Sequence, residues 1–287
     1  MPRRTKIVST LGPATDDPKV VDGLIDAGVD VVRINLSHGT HEEHASRAAH
    51  VRNRARACGR QVGVLVDLQG PKIRTGKFRD GPVELLAGDE FIIDVDHAID
   101  AGNRERVGCT YRELPQDLER GHKLLVNDGK IVLWVEGVQG SEIRCKVKVG
   151  GVLSDNKGIN KYGGGLSAPA LTDKDKADIR FAAEIDADYL AISFVRSAED
   201  IHSARKLLTD AGGSASIVAK VERAEALEVI DEIIAATDVI MVARGDLGVE
   251  IGDAELPAVQ KKLISETRSR NKVVITATQM MESMIEN

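Results

Sequence analysis

Lys220-Val221-Glu222 and Arg244-Gly245-Asp246 each close a short apolar run, which puts a lysine and two carboxylates at the ends of two neighbouring strands. Two carboxylates completed by waters and substrate oxygens make a Mg2+ site. Lys220 beside them suits charge neutralisation on a transferring phosphoryl group, a reaction catalysed by positioning and electrostatics. A structural Lys–Glu ion pair is the bland alternative, and three charged groups on one rim favour chemistry over it. Gly245 lets backbone N–H groups of the following turn approach a carboxylate closely.

Three further stretches carry chemistry-bearing types. In Arg33-Ile34-Asn35-Leu36-Ser37-His38-Gly39, strand alternation sends Arg33, Asn35 and Ser37 to one face. A guanidinium enclosed there needs an anion, either a phosphate or carboxylate ligand or a neighbouring acid, and the strand alone leaves the two even. Asp67-Leu68-Gln69-Gly70-Pro71-Lys72-Ile73-Arg74-Thr75-Gly76 combines an acid with two cations at a turn, which fits anion binding between domains or a charged hinge. Thr276-Ala277-Thr278-Gln279 offers a hydroxyl that could donate or relay a proton. His38, His41 and His44 have a glycine and a helix start between them, and they read as solvated histidines with no zinc.

Seven apolar runs must position these groups: Lys6–Leu11, Val29–Leu36, Val62–Leu68, Tyr189–Phe194, Ile217–Val221, Val239–Ala243 and Lys272–Ala277. Helical patterns lie between them, at Pro18–Ala27, His41–Ala57, Asp173–Glu184, Ala198–Ala211, Ala224–Ala235 and Leu256–Ser269. This repeating βα order predicts an α/β fold, a (β/α)8 barrel with seven of its eight strands present. A doubly wound sheet would want a glycine fingerprint after the first strand, and Thr10-Leu11-Gly12-Pro13 is not one. The order breaks between Gly70-Pro71 and Gly163-Gly164-Gly165, where alternating segments predict an inserted β-domain. Asn127-Asp128-Gly129 is its clearest hairpin turn, joining Leu124–Val126 to Lys130–Val135, with Glu142–Val149 following. The expected division is a barrel over 1–69 and 166–287 and an insert over 70–165.

Composition agrees with that class. Of 287 residues 42% are hydrophobic and only 3% aromatic, so the core must be aliphatic, as in buried parallel strands covered by helices. The net charge of −6 argues against a nucleic-acid surface. Cys58, Cys109 and Cys145 are scattered, which indicates neither a disulfide framework nor a cysteine metal site. No stretch sustains the ~18 apolar residues of a membrane span, so a cytoplasmic protein is expected.

Arg33–Gly39, Asp67–Gly76, Lys157-Gly158-Ile159-Asn160, Ser193-Phe194, Lys220–Arg223, Met241–Gly248 and Thr276–Met284 together resemble pyruvate kinase of a bacterial type. The resemblance implies a barrel with a mobile lid, the lid being a small β-barrel, that transfers the phosphoryl group of phosphoenolpyruvate to ADP with Mg2+ (or Mn2+), giving pyruvate and ATP. It implies that Arg33 and Lys220 hold the phosphoryl group, that Glu222 and Asp246 bind Mg2+, and that Gly245 and Asp246 meet the substrate carboxylate. Ser193 is also implied at the substrate, and Thr278 in protonating the enolate. Asn35, Ser37, His38, Arg74 and Lys157 match positions near the nucleotide, with Lys157 reaching in from the lid. The family's chains continue past Asn287 into a last strand and a C-terminal regulatory domain. This chain is therefore expected to be an N-terminal part, and the intact protein a homotetramer.

One departure bears on cofactors. K+-dependent members carry Glu where this chain has Lys72, and Leu68-Gln69 replaces their Thr-Lys pair. Asn35, Ser37 and Asp67 outline the family's K+ pocket, and the ammonium of Lys72 is expected to make K+ dispensable. Two other readings stand beside the kinase. One is an aldolase or mutase acting on phosphoenolpyruvate or pyruvate, in which Arg74 and Lys157 would be idle. The other is a non-catalytic fragment ending at Met284-Ile285-Glu286-Asn287.

Overall fold

The computed structural model describes residues 3–278, so the part of the Thr276–Met284 block after Thr278 lies outside the described residues. The chain opens with β1 (Val8–Leu11), α1 (Pro18–Asp26), β2 (Val31–Asn35), α2 (His41–Ala57) and β3 (Gly63–Asp67). The insert follows with β4 (Val83–Leu85), β5 (Glu90–Asp94), β6 (Arg106–Val107), β7 (Lys123–Val126), β8 (Ile131–Gln139), β9 (Glu142–Val149), β10 (Gly151–Leu153) and β11 (Ile159–Lys161). The α/β order then resumes with α3 (Asp173–Glu184), β12 (Tyr189–Ile192), α4 (Ala198–Asp210), β13 (Ser216–Val221) and α5 (Ile230–Ala236). It ends with β14 (Val239–Ala243), α6 (Arg244–Ile251), α7 (Leu256–Ser269) and β15 (Val273–Ala277).

Seven parallel strands form one curled sheet in the order β1-β2-β3-β12-β13-β14-β15, so β3 pairs directly with β12 across the insert. The register aligns the strand ends: Asn35 lies opposite Asp67, Asp67 opposite Ala191, and Ala243 opposite Ala277. Strand alternation decides which residues face inward. Leu65, Ala191, Val218, Val239 and Met241 form the cluster inside the curl, with Val31 against it. Val64, Val66, Ile217, Ala219 and Val221 pack outward against the helices. Arg33 and Asn35 share the parity of Val31, Asp67 that of Leu65, and Lys220 that of Val218, so all four turn into the curl.

Local chemistry sets the helices. Capping boxes open α2, where Thr40 and Glu43 exchange bonds, and α3, where Thr172 and Asp175 do. Proline sits in the first turn of α1 and α7, where its missing N–H costs nothing. Two expectations change. The Ala224–Ala235 helix is a single 3-10 turn at Glu225–Leu227 followed by α5, because Ala224 and Glu225 are bonded to other segments. The helix α6 was unexpected; Gly245 and Gly248 lower its intrinsic propensity, and packing against β11, β14, β15 and α7 holds it.

The insert has its own core, built on Phe91, Leu114, Leu124, Leu133 and Ile143 among others. Its strands pair as β11-β7-β8-β9-β5-β6 with a separate β10-β4 pair. All pairings are antiparallel except β5 with β6. The turn between β7 and β8 has positive φ at Asn127, Asp128 and Gly129, the conformation that this tripeptide favours. The two bodies meet where α6 packs on β11. No helix of the described residues is long and apolar enough to cross a membrane.

Candidate active site

At the C-terminal rim of the curled sheet the inward-facing charges are knotted together. Arg33 Nε donates to Asp67 Oδ2 at 2.6 Å and Nη1 donates to Thr10 Oγ1 at 3.0 Å. The acid closing β3 therefore answers, in part, whether Arg33 has a protein partner. Asp67 is buried; its other oxygen, Oδ1, has no hydrogen-bond partner and lies 3.3 Å from Lys220 Nζ. Lys220 Nζ also lies 2.9 Å from Glu222 Oε1 and donates to Ser193 Oγ at 2.6 Å. Ser193 in turn donates to the Leu68 carbonyl at 2.8 Å. Burial works against the ammonium, but the Asp67 and Glu222 carboxylates outweigh it and raise the Lys220 pKa. Lys220 is a fixed cation.

Glu222 is pinned from its second oxygen, which accepts the Phe194 N–H at 2.8 Å. Phe194 has a φ of +56°, sparsely populated for an aromatic residue, and this strained turn is what aims its N–H at the carboxylate. Burial, opposed by Lys220 and reinforced by Asp246, raises the Glu222 pKa. Asp246, in the first turn of α6, pairs with Lys72 of the insert's entry segment at 3.0 Å. Glu222 and Asp246, close enough for the charge of one to raise the pKa of the other, are hard oxygen donors of the kind that fits a hard cation such as Mg2+. Among the described residues no cluster of three or more His, Cys, Asp or Glu stands as a metal cage, so a cation here would draw its remaining ligands from substrate and water.

The other predicted residues divide into two groups. Gly245 N–H donates to Thr278 Oγ1 at 3.0 Å, and Arg244 donates to the Thr278 carbonyl at 2.6 Å, so the end of β15 is strapped to the start of α6. Asn35 Oδ1 accepts the Ser37 N–H at 3.1 Å, which turns that side chain onto its own loop. His38 is exposed on the same loop, and its carbonyl accepts a hydrogen bond from His44 at 2.7 Å. His41 instead stacks on Phe181 and lies 2.8 Å from Asp178, and His44 is buried, so the expectation of three solvated histidines holds for His38 and fails for His44, which the packing of α2 encloses. On the insert, Arg74 and Lys157 are neighbours: Arg74 bridges Gly158, and Thr75 N–H donates to the Lys157 carbonyl at 2.8 Å.

A cleft of about 580 Å3 runs between insert and barrel beside this cluster and is lined by Gln69, Lys72, Tyr111, Ser167 and Lys176, among others. It meets the candidate site only at Lys72. Sequence reasoning assigned Asp67 to a cation pocket and missed its link to Lys220. The signal was present, because Asp67 ends an apolar strand in the same way as Lys220.

The family model described as "Pyruvate kinase, barrel domain" matches residues 2–287. The chain is 56% identical over 288 residues to a pyruvate kinase of Haemophilus influenzae and 57% identical to pyruvate kinase II of Salmonella typhimurium, covering 99% of this chain and 60% of each relative. It is 46% identical over 287 residues to a pyruvate kinase of Mycobacterium tuberculosis, again covering 60% of that protein. The chain thus spans 60% of the length of these curated relatives. With its curled parallel sheet and a sequence matched almost end to end, the chain belongs to the pyruvate kinase family.

Proposed function

We propose that this chain provides most of the catalytic core of a pyruvate kinase, which moves the phosphoryl group of phosphoenolpyruvate to ADP and releases pyruvate and ATP. The observation that carries the reading is Lys220, a buried ammonium held by Asp67, Glu222 and Ser193 on the rim it shares with Arg33. Phosphoryl transfer needs positive charge fixed in advance where negative charge shifts. Lys220 meets that need because its three contacts hold it in place. Arg33 supplies a second cation, a quarter exposed towards the rim.

Glu222 and Asp246 would hold Mg2+ (or Mn2+), which would supply positive charge to offset that of the substrate. Gly245 and Asp246, at the start of α6, meet the substrate carboxylate. The Thr278 hydroxyl accepts from Gly245 N–H, which leaves its own proton to assist protonation of the enolate. Asn35, Ser37 and His38 face the nucleotide from the barrel, and Arg74 with Lys157 from the insert. We read 1–69 and 166–287 as the barrel and 70–165 as a small β-barrel lid. The isolated bridges Arg74–Gly158, Thr75–Cys109 and Phe78–Gly102 support a sheet that curls back on itself. Lys72 takes the role of K+: its ammonium already neutralises Asp246, and it does so from Asp246 rather than from within the Asn35, Ser37 and Asp67 outline.

Pyruvate formation by the purified chain with phosphoenolpyruvate, ADP and Mg2+, run with and without K+, tests the reading. The expected result is turnover independent of K+, lost in Lys220→Ala and made K+-dependent in Lys72→Glu. A folded chain that neither turns over nor is protected by ADP against thermal unfolding would refute it. Strict K+ dependence of the unaltered chain would refute the role given to Lys72.

A further inference from the structure

The insert leaves and rejoins the barrel through two crossings, and each is held by a buried carboxylate. At the entry, Asp175 Oδ1 accepts the Gly70 N–H at 3.0 Å. At the exit the group is Glu250, near the end of α6 and 4% exposed. Its Oε2 accepts the Ala224 N–H at 2.9 Å and its Oε1 accepts Asn160 Nδ2 at 3.4 Å. Its backbone carbonyl accepts the Gly163 N–H at 3.1 Å. Asn160 belongs to β11 of the insert, Ala224 follows β13 of the barrel, and Gly163, Gly164 and Gly165, with φ of +80°, +75° and +82°, are the exit itself. One residue therefore ties lid strand, hinge and barrel together.

The charged groups around Glu250 leave it poorly compensated. Arg223 and Glu225 approach from the loop after β13, and Lys72 lines the same cavity of about 10 Å3 as Glu250. Lys72 is paired with Asp246, and Arg223 Nη1 is shared between the Leu166 carbonyl at 2.8 Å and Glu225 at 3.1 Å. Lys161 of β11 turns to the Asp117 carbonyl at 3.3 Å.

We propose that Glu250 is a proton-operated clasp: protonated, it keeps the exit crossing docked on the barrel; ionised, it favours release of that crossing into water. Burial, with the Glu225 charge adding and the Ala224 N–H, Arg223 and Asn160 opposing, pushes the docked carboxyl from 4.5 up to about 7. A released, hydrated carboxyl returns to the ordinary value. The docked form therefore holds the proton more tightly, and linkage makes docking strongest below about pH 4.5 and progressively weaker as pH rises from there through 7. For those two values the ratio of released to docked rises about tenfold between pH 6 and pH 8. The inference depends on reading 70–165 as a lid but not on the reaction, since docking is read without substrate.

The test is amide hydrogen exchange at Gly163 and Gly165 at pH 6 and pH 8, each rate divided by its unstructured rate, with β13 amides as the internal reference. The expected result is an opening constant about tenfold larger at pH 8 in the unaltered chain, with less than twofold change in Glu250→Gln, whose neutral amide mimics the protonated acid. No pH dependence in the unaltered chain, or the same dependence in the variant, would overturn the proposal. Should Glu250→Gln not fold, a carbon-13 NMR titration of the Glu250 carboxyl decides: a midpoint between pH 6 and 8 supports the clasp, and one below about 5 overturns it.

Discussion

Replacing Lys220 by Met removes an ammonium 2.9 Å from Glu222 and 3.3 Å from Asp67 and leaves those two carboxylates 2% and 1% exposed. Breaking a buried ion pair from one side costs about 3–5 kcal/mol, because the charge left behind is uncompensated. The variant has one route of relief, which is for Glu222, already raised by burial, to take a proton. An acid whose pKa is higher folded than unfolded destabilises the fold above its folded value, and lowering the pH towards its unfolded value recovers about 1.4 kcal/mol per unit. The penalty relative to the unaltered chain should therefore be larger near pH 8 than near pH 5.5. The structure supplies separate probes. All of α1–α7 lie outside the insert, so helical circular dichroism follows the barrel, while the sole tryptophan, Trp134, is on β8 of the insert. Urea unfolding at both pH values should move the dichroism transition and leave the fluorescence transition in place. Equal penalties at the two pH values, or one below about 1 kcal/mol near pH 8, would refute the reasoning.

Phe91→Ala empties a buried position of the insert core and should cost about 3–5 kcal/mol, lowering the fluorescence transition without moving the dichroism one. Gly70→Ala forces a side chain to φ +65° and brings its Cβ within 2.8 Å of Ser193 Cβ. It should cost about 1–3 kcal/mol and reduce turnover by displacing the partner of Lys220, readable in the pyruvate assay. Burial pushes the Cys109 and Cys145 thiols up to about 11 and about 12, whereas Cys58 is half-buried on the surface. A disulfide reagent near pH 8 should titrate one thiol in the native chain and all three in denaturant.

The strands and most helices were legible because each has an aliphatic run or a capping box whose meaning is local. Lys220, Glu222 and Asp246 were legible for the same reason, since each follows directly on such a run. What stayed hidden depends on distance in sequence. Lys72 and Asp246 are 174 positions apart, and nothing near either residue names the other. Glu250 looks like an ordinary polar residue midway between Gly248 and Gly252; only the docking of α6 against β11 encloses it. Phe194 could not be read as a strained turn, because its left-handed φ follows from the bond its N–H makes to Glu222.

The adjacency of β3 and β12 also bears on how the chain assembles. Val64 N–H donates to Asp188 at 2.7 Å, and the two residues are 124 positions apart with the insert between them. Pairing these strands in an unstructured chain would mean closing that whole loop before any contact rewarded it. Folding of the insert around its own core shortens the task, because β11 pairs with β7 and the bridge between Arg74 and Gly158 brings the two crossings together. The insert would then act as a template for the barrel, and Phe91→Ala should slow barrel refolding even though no insert side chain belongs to the barrel core.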